Sequence, residues 1–368
     1  MATIPLVDLR AQHRQVADEV ARGFASVLET TSFVLGKQVK EFEEAFAAFV
    51  GARHCVSVAN GTDALELVLR ATGIAAGDEV ILPTNTFIAT ALAVARAGAT
   101  PVLVDCDPVY YMLDVDEVAA KVTPRTRAII PVDLYGQIAP MEALTPLAAK
   151  HGVAIIEDAA QAQGARRHGK SAGTFGLAAG TSFYPGKNLG AYGDGGAVIT
   201  DSDTIATKIR ALRNYGSEVK YYHPETGFNS RLDTLQAVVL LAKLKHLAVW
   251  NQARRDAARR YETLLADIPG LILPQTMEGN EHIFHLYIVR VPRRDQVLEK
   301  LHGAGIGAGI HYPVPIHLQG AFEHLRRPAV SFPVAEKAAG EILSLPIFAE
   351  ITADQQTAIA EGLRVALA

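Results

Sequence analysis

From His54 to about residue 200, short apolar runs alternate with stretches of helical spacing, and no other feature of the sequence limits the fold as tightly. His54-Cys55-Val56-Ser57-Val58-Ala59 predicts a buried strand, and Thr62 to Leu69 the helix after it. Glu79-Val80-Ile81-Leu82 predicts a second strand, followed by a helix from Thr86 to Ala97. Pro101 to Val104, Ala128 to Pro131 and Val153 to Ile156 continue the pattern. The runs are apolar at consecutive positions, so both faces of each strand are covered. Strands of that kind, joined through helices, form a mostly parallel sheet with helices on two sides. Before them, Val39, Phe42, Phe46, Phe49 and Val50 recur at helical spacing and predict an amphipathic helix from Gln38 to Val50.

The rhythm then changes. Two long helical patterns cover Leu232 to His246 and Val249 to Ile268. They are followed by a strand-like run, His285 to Arg290, by a helix from Arg294 to His302 and by a terminal helix from Ala353 to Leu367. The expectation is an α/β chain with a large, mostly parallel-sheet domain over residues 1–245. A smaller C-terminal α+β domain would cover residues 246–368. A chain of 368 residues with 49% hydrophobic side chains has ample apolar surface for two cores. Its formal charge of −4 offers no basic excess for nucleic acid or membrane. The longest apolar run near the middle, Ala237 to Ala242, is too short to span a bilayer. Met1 to Arg14 carries early charges and no apolar stretch of signal-peptide length. Cys55 and Cys106 each sit in an apolar run and read as buried free thiols. A cytoplasmic protein is expected.

Three features point to one cofactor. Lys187 lies in Ser182-Phe183-Tyr184-Pro185-Gly186-Lys187-Asn188, among turn-forming residues, shortly before Gly193-Asp194-Gly195-Gly196. Asp158 follows Val153-Ala154-Ile155-Ile156, at the expected C-terminal end of a parallel strand, where open α/β sheets bind ligands. Glu157 precedes it and should point to the other face. Asn60-Gly61-Thr62-Asp63 joins a strand to a helix, so free N–H groups and the Thr62 hydroxyl offer an anion cradle. Ser182 adds a hydroxyl near Lys187, and Phe87 could stack on a ring. Taken singly, each has a plainer reading: a surface lysine, a loop or capping acid, a capped turn, a core aromatic. Together they are what pyridoxal phosphate requires: an amine for its aldehyde, an acid for its ring nitrogen and a cradle for its phosphate.

Two decoys fail on spacing and context. A P-loop needs glycine where Thr181 stands and a hydroxyl residue where Asn188 stands. Gly303-Ala304-Gly305-Ile306-Gly307-Ala308 follows a predicted helix, whereas a dinucleotide fingerprint follows a strand. His311 and His317 lack acidic or cysteine partners at ligand spacing, so no metal is expected.

Over nearly its whole length the sequence resembles the nucleotide-sugar aminotransferases, the DegT/DnrJ/StrS type among fold-type I pyridoxal phosphate enzymes. The resemblance is carried by Ile4-Pro5-Leu6-Val7-Asp8-Leu9, Asn60-Gly61-Thr62-Asp63-Ala64-Leu65, Glu157-Asp158-Ala159-Ala160-Gln161 and Ser182-Phe183-Tyr184-Pro185-Gly186-Lys187. It continues in Gly193-Asp194-Gly195-Gly196, Asn229-Ser230-Arg231, His311-Tyr312-Pro313 and Ser344-Leu345-Pro346. It implies that Lys187 joins the cofactor aldehyde, that Asp158 binds the pyridine nitrogen and that Gln161 lies at the ring hydroxyl. Gly61, Thr62 and Ser182 would hold the phosphate, and Phe87 would cover the ring. Asn229 would reach the phosphate of the neighbouring subunit, which implies a homodimer with shared active sites. Tyr184, Lys220, His311 and Tyr312 would line the sugar-nucleotide pocket.

The implied reaction is transamination from L-glutamate to a nucleotide-linked keto-6-deoxyhexose. Relatives that dehydrate sugars carry His in place of the reactive lysine, and this chain has Lys187. The wording Tyr184-Pro185-Gly186-Lys187-Asn188-Leu189-Gly190 is most like enzymes that aminate position 3 of a thymidine diphosphate sugar. Amination of position 4, or dehydration on the same fold, is the alternative. The resemblance departs at Val132-Asp133-Leu134-Tyr135-Gly136, where many relatives carry His in place of Asp133.

Overall fold

The computed structural model describes residues 3–325 and 331–368. The chain opens with α1 (Leu9–Thr30), whose first turn is capped by Asp8 accepting from the amides of Arg10 and Ala11, and with α2 (Lys37–Val50). The alternating part follows as β1 (His54–Val58), α3 (Gly61–Ala71), β2 (Glu79–Pro83), α4 (Ile88–Arg96), β3 (Thr100–Val104), α5 (Val115–Lys121), β4 (Thr126–Ile129), α6 (Met141–His151) and β5 (Ala154–Asp158). Two-residue pieces β6 (Arg166–Arg167) and β7 (Lys170–Ser171) precede β8 (Ala178–Ser182), β9 (Gly196–Thr200) and α7 (Asp203–Leu212). Helices α8 (Thr234–Leu244) and α9 (Leu247–Leu265) lead to β10 (Asn280–Glu281), β11 (Tyr287–Arg290), α10 (Arg294–Gly303), α11 (Pro333–Glu341), β12 (Ile342–Leu345) and α12 (Ala353–Leu367).

The seven-stranded sheet runs β1-β9-β8-β5-β4-β2-β3. Strands β3, β2, β4, β5 and β8 pair in parallel, and β9 runs antiparallel to both β8 and β1. The strands feed two cores by simple alternation. Val80 and Leu82 pack on one side and Ile81 on the other; Ile156 and Ile155 divide in the same way. Phe42 and Phe46 of α2 enter the core that holds Ile81 and Ile155. A third core joins the second half of α9, through Tyr261 and Leu265, to β11, β12, α10 and α12. Ile4, from the start of the chain, packs into it and bridges to Ile306.

Several element boundaries differ from the sequence reading, and two strands escaped it. The helix expected from Thr86 starts at Ile88, because Phe87 is extended (φ −63°, ψ 145°) at its cap. The strand expected from His285 starts at Tyr287, since His285 is taken up by the site described below. Strands β8 and β9 went unread: β8 is Ala-Ala-Gly-Thr-Ser, small because α3 lies directly on it. A side chain at Gly180 would come within 2.8 Å of Leu65.

Candidate active site

The sheet register brings the site together. In the parallel pairing of β5 with β8, Asp158 stands opposite Gly180, two residues before Ser182 ends the strand. Ser182 in turn pairs with Gly196, and Gly196 with Val58 at the end of β1. Asn60 and α3 follow at once. Gly61 therefore meets Ser182 so closely that an added Cβ would lie 2.7 Å from the Ser182 Cβ. One at Gly196 would lie 2.3 Å from the Asn60 carbonyl carbon. These contacts place the amino end of α3 against Ser182, and Asn60 caps that end by accepting from the Asp63 amide (2.8 Å). Free amides, the dipole of an eleven-residue helix and two hydroxyls face one spot.

Lys187 reaches the same spot from the β8–β9 connection. That loop is tied by Lys187 N donating to the Tyr184 carbonyl and Ala191 N to the Phe183 carbonyl, both at 2.8 Å. The Phe183 ring is wedged edge-on against Phe42 and Phe46, with centroids at 5.2 and 5.4 Å. Buried Lys243 donates to the Gly190 carbonyl (2.7 Å) from behind.

A cavity of about 580 Å³ lies over these groups. Gly61, Thr62, Phe87, Asp158, Gln161, Ser182, Tyr184, Lys187, His311 and Tyr312 all line it. Asp158 is buried and accepts from Thr90 Oγ1 (2.7 Å) and from the Ala160 amide (3.2 Å). Burial raises its pKa, against those hydrogen bonds and the nearby Lys187 charge. Burial lowers the Lys187 pKa to about 8, against the pull of Asp158. The lysine is therefore an amine that loses its proton far more readily than one in water. The same burial and the Lys187 charge push His311 down to about 4, so its imidazole is neutral.

Gln161 is fixed at both ends of its amide. Its Oε1 accepts from the Tyr135 amide (2.7 Å) and its Nε2 donates to the Tyr312 hydroxyl (3.0 Å). Tyr312 packs on Phe87 with centroids 5.2 Å apart, and Phe87 remains half exposed over the cavity. Glu157 points away, as alternation requires, and accepts from the amides of Gly173, Phe175 and Gly176 at 2.6–2.8 Å. Asp133 is fully buried; one oxygen accepts from the Ala139 amide and the other has no partner.

Two of the sequence candidates lie elsewhere in the protomer. Asn229 is exposed and bridges to Asn214, and Lys220 is exposed with its Nζ 5.0 Å over the Tyr221 ring. Neither lines the cavity. Thr90, His285 and Lys243 were missed, since a threonine inside a helix, a histidine in an apolar run and a helix lysine carry no motif. A second cavity of about 580 Å³ is lined by Asp107, Asp114, Asp116, Glu142 and Arg167, without a lysine. His317 lies between Thr84 Oγ1 (2.8 Å) and Glu336 Oε1 (3.1 Å), and no group of three metal-ligating side chains occurs among the described residues.

The donor set fits pyridoxal phosphate. The Lys187 amine, the buried Asp158 carboxyl and the amides and hydroxyls where α3 meets Ser182 converge on one cavity, and the glycines leave room where a Cβ would obstruct. The family model described as DegT/DnrJ/EryC1/StrS aminotransferase matches residues 14–364. A "pleiotropic regulatory protein" of Geobacillus stearothermophilus is 46% identical over 98% of this chain and 97% of its own length. A UDP-N-acetyl-3-dehydro-α-D-glucosamine 3-aminotransferase of Acidithiobacillus ferrooxidans is 47% identical, covering 98% and 97%. A dTDP-3-amino-3,4,6-trideoxy-α-D-glucose transaminase of Streptomyces venezuelae is 45% identical, covering 98% and 95%. The crystal structure of S. venezuelae DesV in complex with a ketimine intermediate superimposes with a TM-score of 0.97 at 45% identity, over 99% of this chain and 98% of that one. The fold is that of the fold-type I pyridoxal phosphate aminotransferases. This chain is an enzyme of the DegT/DnrJ/EryC1/StrS aminotransferase family, and its cofactor is pyridoxal phosphate.

Proposed function

We propose that the chain transfers an amino group from L-glutamate to position 3 of a keto-6-deoxyhexose linked to thymidine diphosphate. The observation that carries this reading is the cavity itself: a readily deprotonated Lys187 beside a buried Asp158, under a wall of Tyr184, His311 and Tyr312. The names of the Streptomyces and Acidithiobacillus relatives, both acting at carbon 3 of a sugar nucleotide, supply the position. Pyridoxal phosphate, when bound, supplies an aldehyde that takes up an amine and a ring that absorbs the electron pair left by a departing proton. Lys187 would join that aldehyde and, once displaced by the donor amine, hold the proton removed from the donor carbon and return it. Asp158, fixed by Thr90 and Ala160, would keep the ring nitrogen protonated. Gly61, Thr62 and Ser182 would bind the phosphate, with Gln161 at the ring hydroxyl and Phe87 over the ring. Neutral His311 and Tyr312 would orient the sugar by hydrogen bonds.

The active unit in this reading is a homodimer, with Asn229 and Lys220 serving the neighbouring cavity. The chain is read as dividing between residues 245 and 246, just before α9, whose second half enters the third core. Two buried free thiols, Cys55 and Cys106, suit a reducing compartment, and we read the enzyme as cytoplasmic. No helix among the described residues is long and apolar enough to cross a membrane.

The test is a set of parallel assays with L-glutamate and thymidine-linked 3-keto, thymidine-linked 4-keto and UDP-linked 3-keto sugars. The thymidine-linked 3-keto sugar should give the fastest amino-sugar formation. Turnover of the 4-keto sugar alone, or a deoxy-sugar product, would overturn the proposal. The name of the Geobacillus relative favours a second reading, a regulator on the same scaffold. That reading requires Lys187→Ala to leave the biological output intact. Ours requires the variant to stay folded while losing the visible absorbance of the bound cofactor and all turnover.

A further inference from the structure

Behind Lys187 runs a continuous line of buried amides that the reaction as described does not use. Asn188, the next residue, is 2% exposed. Its Nδ2 donates to Asn251 Oδ1 (2.8 Å), and its Oδ1 lies 3.1 Å from His285 Nδ1. Asn251, on α9, turns its own Nδ2 to the Gln163 carbonyl (2.9 Å). The neighbouring Gly164 has φ +91°, and a Cβ there would sit 2.6 Å from that nitrogen, so the glycine is what admits Asn251. Gln163, in turn, donates through Nε2 to the Ser182 carbonyl (2.8 Å) and to Thr181 Oγ1 (3.0 Å). The line therefore starts beside the lysine and ends on the strand that carries the phosphate-facing serine. It crosses three separate parts of the chain, α9, the loop after β5 and the segment before β11.

The hydrogen bonding also fixes a tautomer. Asn188 Oδ1 can only accept, so His285 Nδ1 must donate, and the imidazole is neutral with its lone pair on Nε2. Burial first, and then the charges of Lys187 and Arg254, oppose a second proton on that ring. His285 is thus a fixed, uncharged strut whose edge lines the same cavity as Lys187.

We propose that Asn188, clamped between Asn251 and His285, is a positioning residue that aims the Lys187 amine at the cofactor aldehyde. A lysine side chain has four rotatable bonds, and neither the main-chain bond from Lys187 N to Tyr184 nor the non-directional attraction of Asp158 sets its exit from the loop. A clamp on the adjacent residue fixes the direction in which that side chain leaves the loop, at buried positions where an unpaired amide is costly. The same relay places Ser182 in register with the lysine, so the covalent and phosphate anchors keep one spacing.

This inference rests on pyridoxal phosphate being the cofactor, and the unsubstituted enzyme tests that separately by binding it with a visible absorbance. The inference is tested by comparing two ligands on the cofactor-free enzyme. Pyridoxal phosphate needs the lysine; pyridoxamine phosphate occupies the same site and does not. Asn188→Ala should raise the dissociation constant of pyridoxal phosphate about tenfold and that of pyridoxamine phosphate less than about twofold. Asn251→Ala should do the same, and the double variant should lose no more than either single one, because both break one clamp. His285→Gln, which can still donate to Asn188, should retain affinity where His285→Phe does not. Should Asn188→Ala fail to fold, the two His285 variants carry the comparison alone. Equal weakening of both ligands, multiplied losses in the double variant, or unchanged affinity in all variants would overturn the proposal.

Discussion

At the scale of single residues, the proposed chemistry turns on what burial does to Lys187. Its pKa falls to about 8, so it is an ammonium below that pH and a free amine above it. Only the free amine can attack an aldehyde. Uptake of pyridoxal phosphate by the cofactor-free enzyme should therefore rise about tenfold between pH 7 and pH 9 and then level off, the behaviour of a group titrating near 8. An ordinary lysine would climb about a hundredfold over that range without a plateau. Stopped-flow absorbance at a series of pH values distinguishes the two. Lys187, Asp158 and Ser182 were legible because each belongs to a short ordered motif. Thr90, which orients Asp158, and Asn251, which props the lysine loop, were not. Each is an unremarkable helix residue until the tertiary fold brings it to a partner 68 or 63 positions away.

At the scale of elements, β5 shows what strand alternation accomplishes. Its last two residues are both carboxylates, and the pleat sends them to opposite sides. Asp158 enters the cavity, while Glu157 collects three backbone amides from the loop before β8. The two should separate cleanly on substitution. Glu157→Ala strands three buried donors and should cost about 3 kcal/mol or more, read as a fall in the urea midpoint. Asp158→Asn should leave that midpoint nearly unchanged and abolish turnover. The sequence pattern located β1 to β5 closely, because bulky residues buried on both faces leave a plain signal. It missed β8 because the helix above leaves room only for Ala, Gly, Thr and Ser, which carry little apolar signal. It missed α1 because only a narrow stripe, including Val16 and Val20, is buried against α8 and Trp250.

At the scale of the whole molecule, the proposed homodimer would give the exposed aromatic segment a partner. Tyr221 and Tyr222 are 80% and 73% exposed, with Tyr215 and Val219 beside them in sequence. So many exposed aromatic and apolar side chains in one short segment suit an interface better than a free face. The dimer reading makes a sharp prediction about mixing. Homodimers of Lys187→Ala and of Asn229→Ala should each be impaired. Subunit exchange between them should restore about a quarter of wild-type activity, since half the dimers are mixed and each has one intact site. If each protomer's site were self-contained, the mixture would gain nothing. The change of rhythm after residue 200 is what suggests a two-part layout, whereas the docking of Ile4 into the third core left no such trace. A single isoleucine near the start of a chain has no periodicity to betray its destination.

The groups proposed to grip the coenzyme come mainly from the central sheet, its α3 and α4 ends and the β8–β9 loop, while His311 and Tyr312 arrive on a loop of the C-terminal part. Selection can therefore rework which sugar is welcomed without loosening the hold on the vitamin-derived reagent. The two concerns meet at Tyr312, whose hydroxyl and ring touch both Gln161 and Phe87. Breeding a catalyst for a new carbohydrate from this scaffold should begin around that seam and leave the tyrosine itself in place.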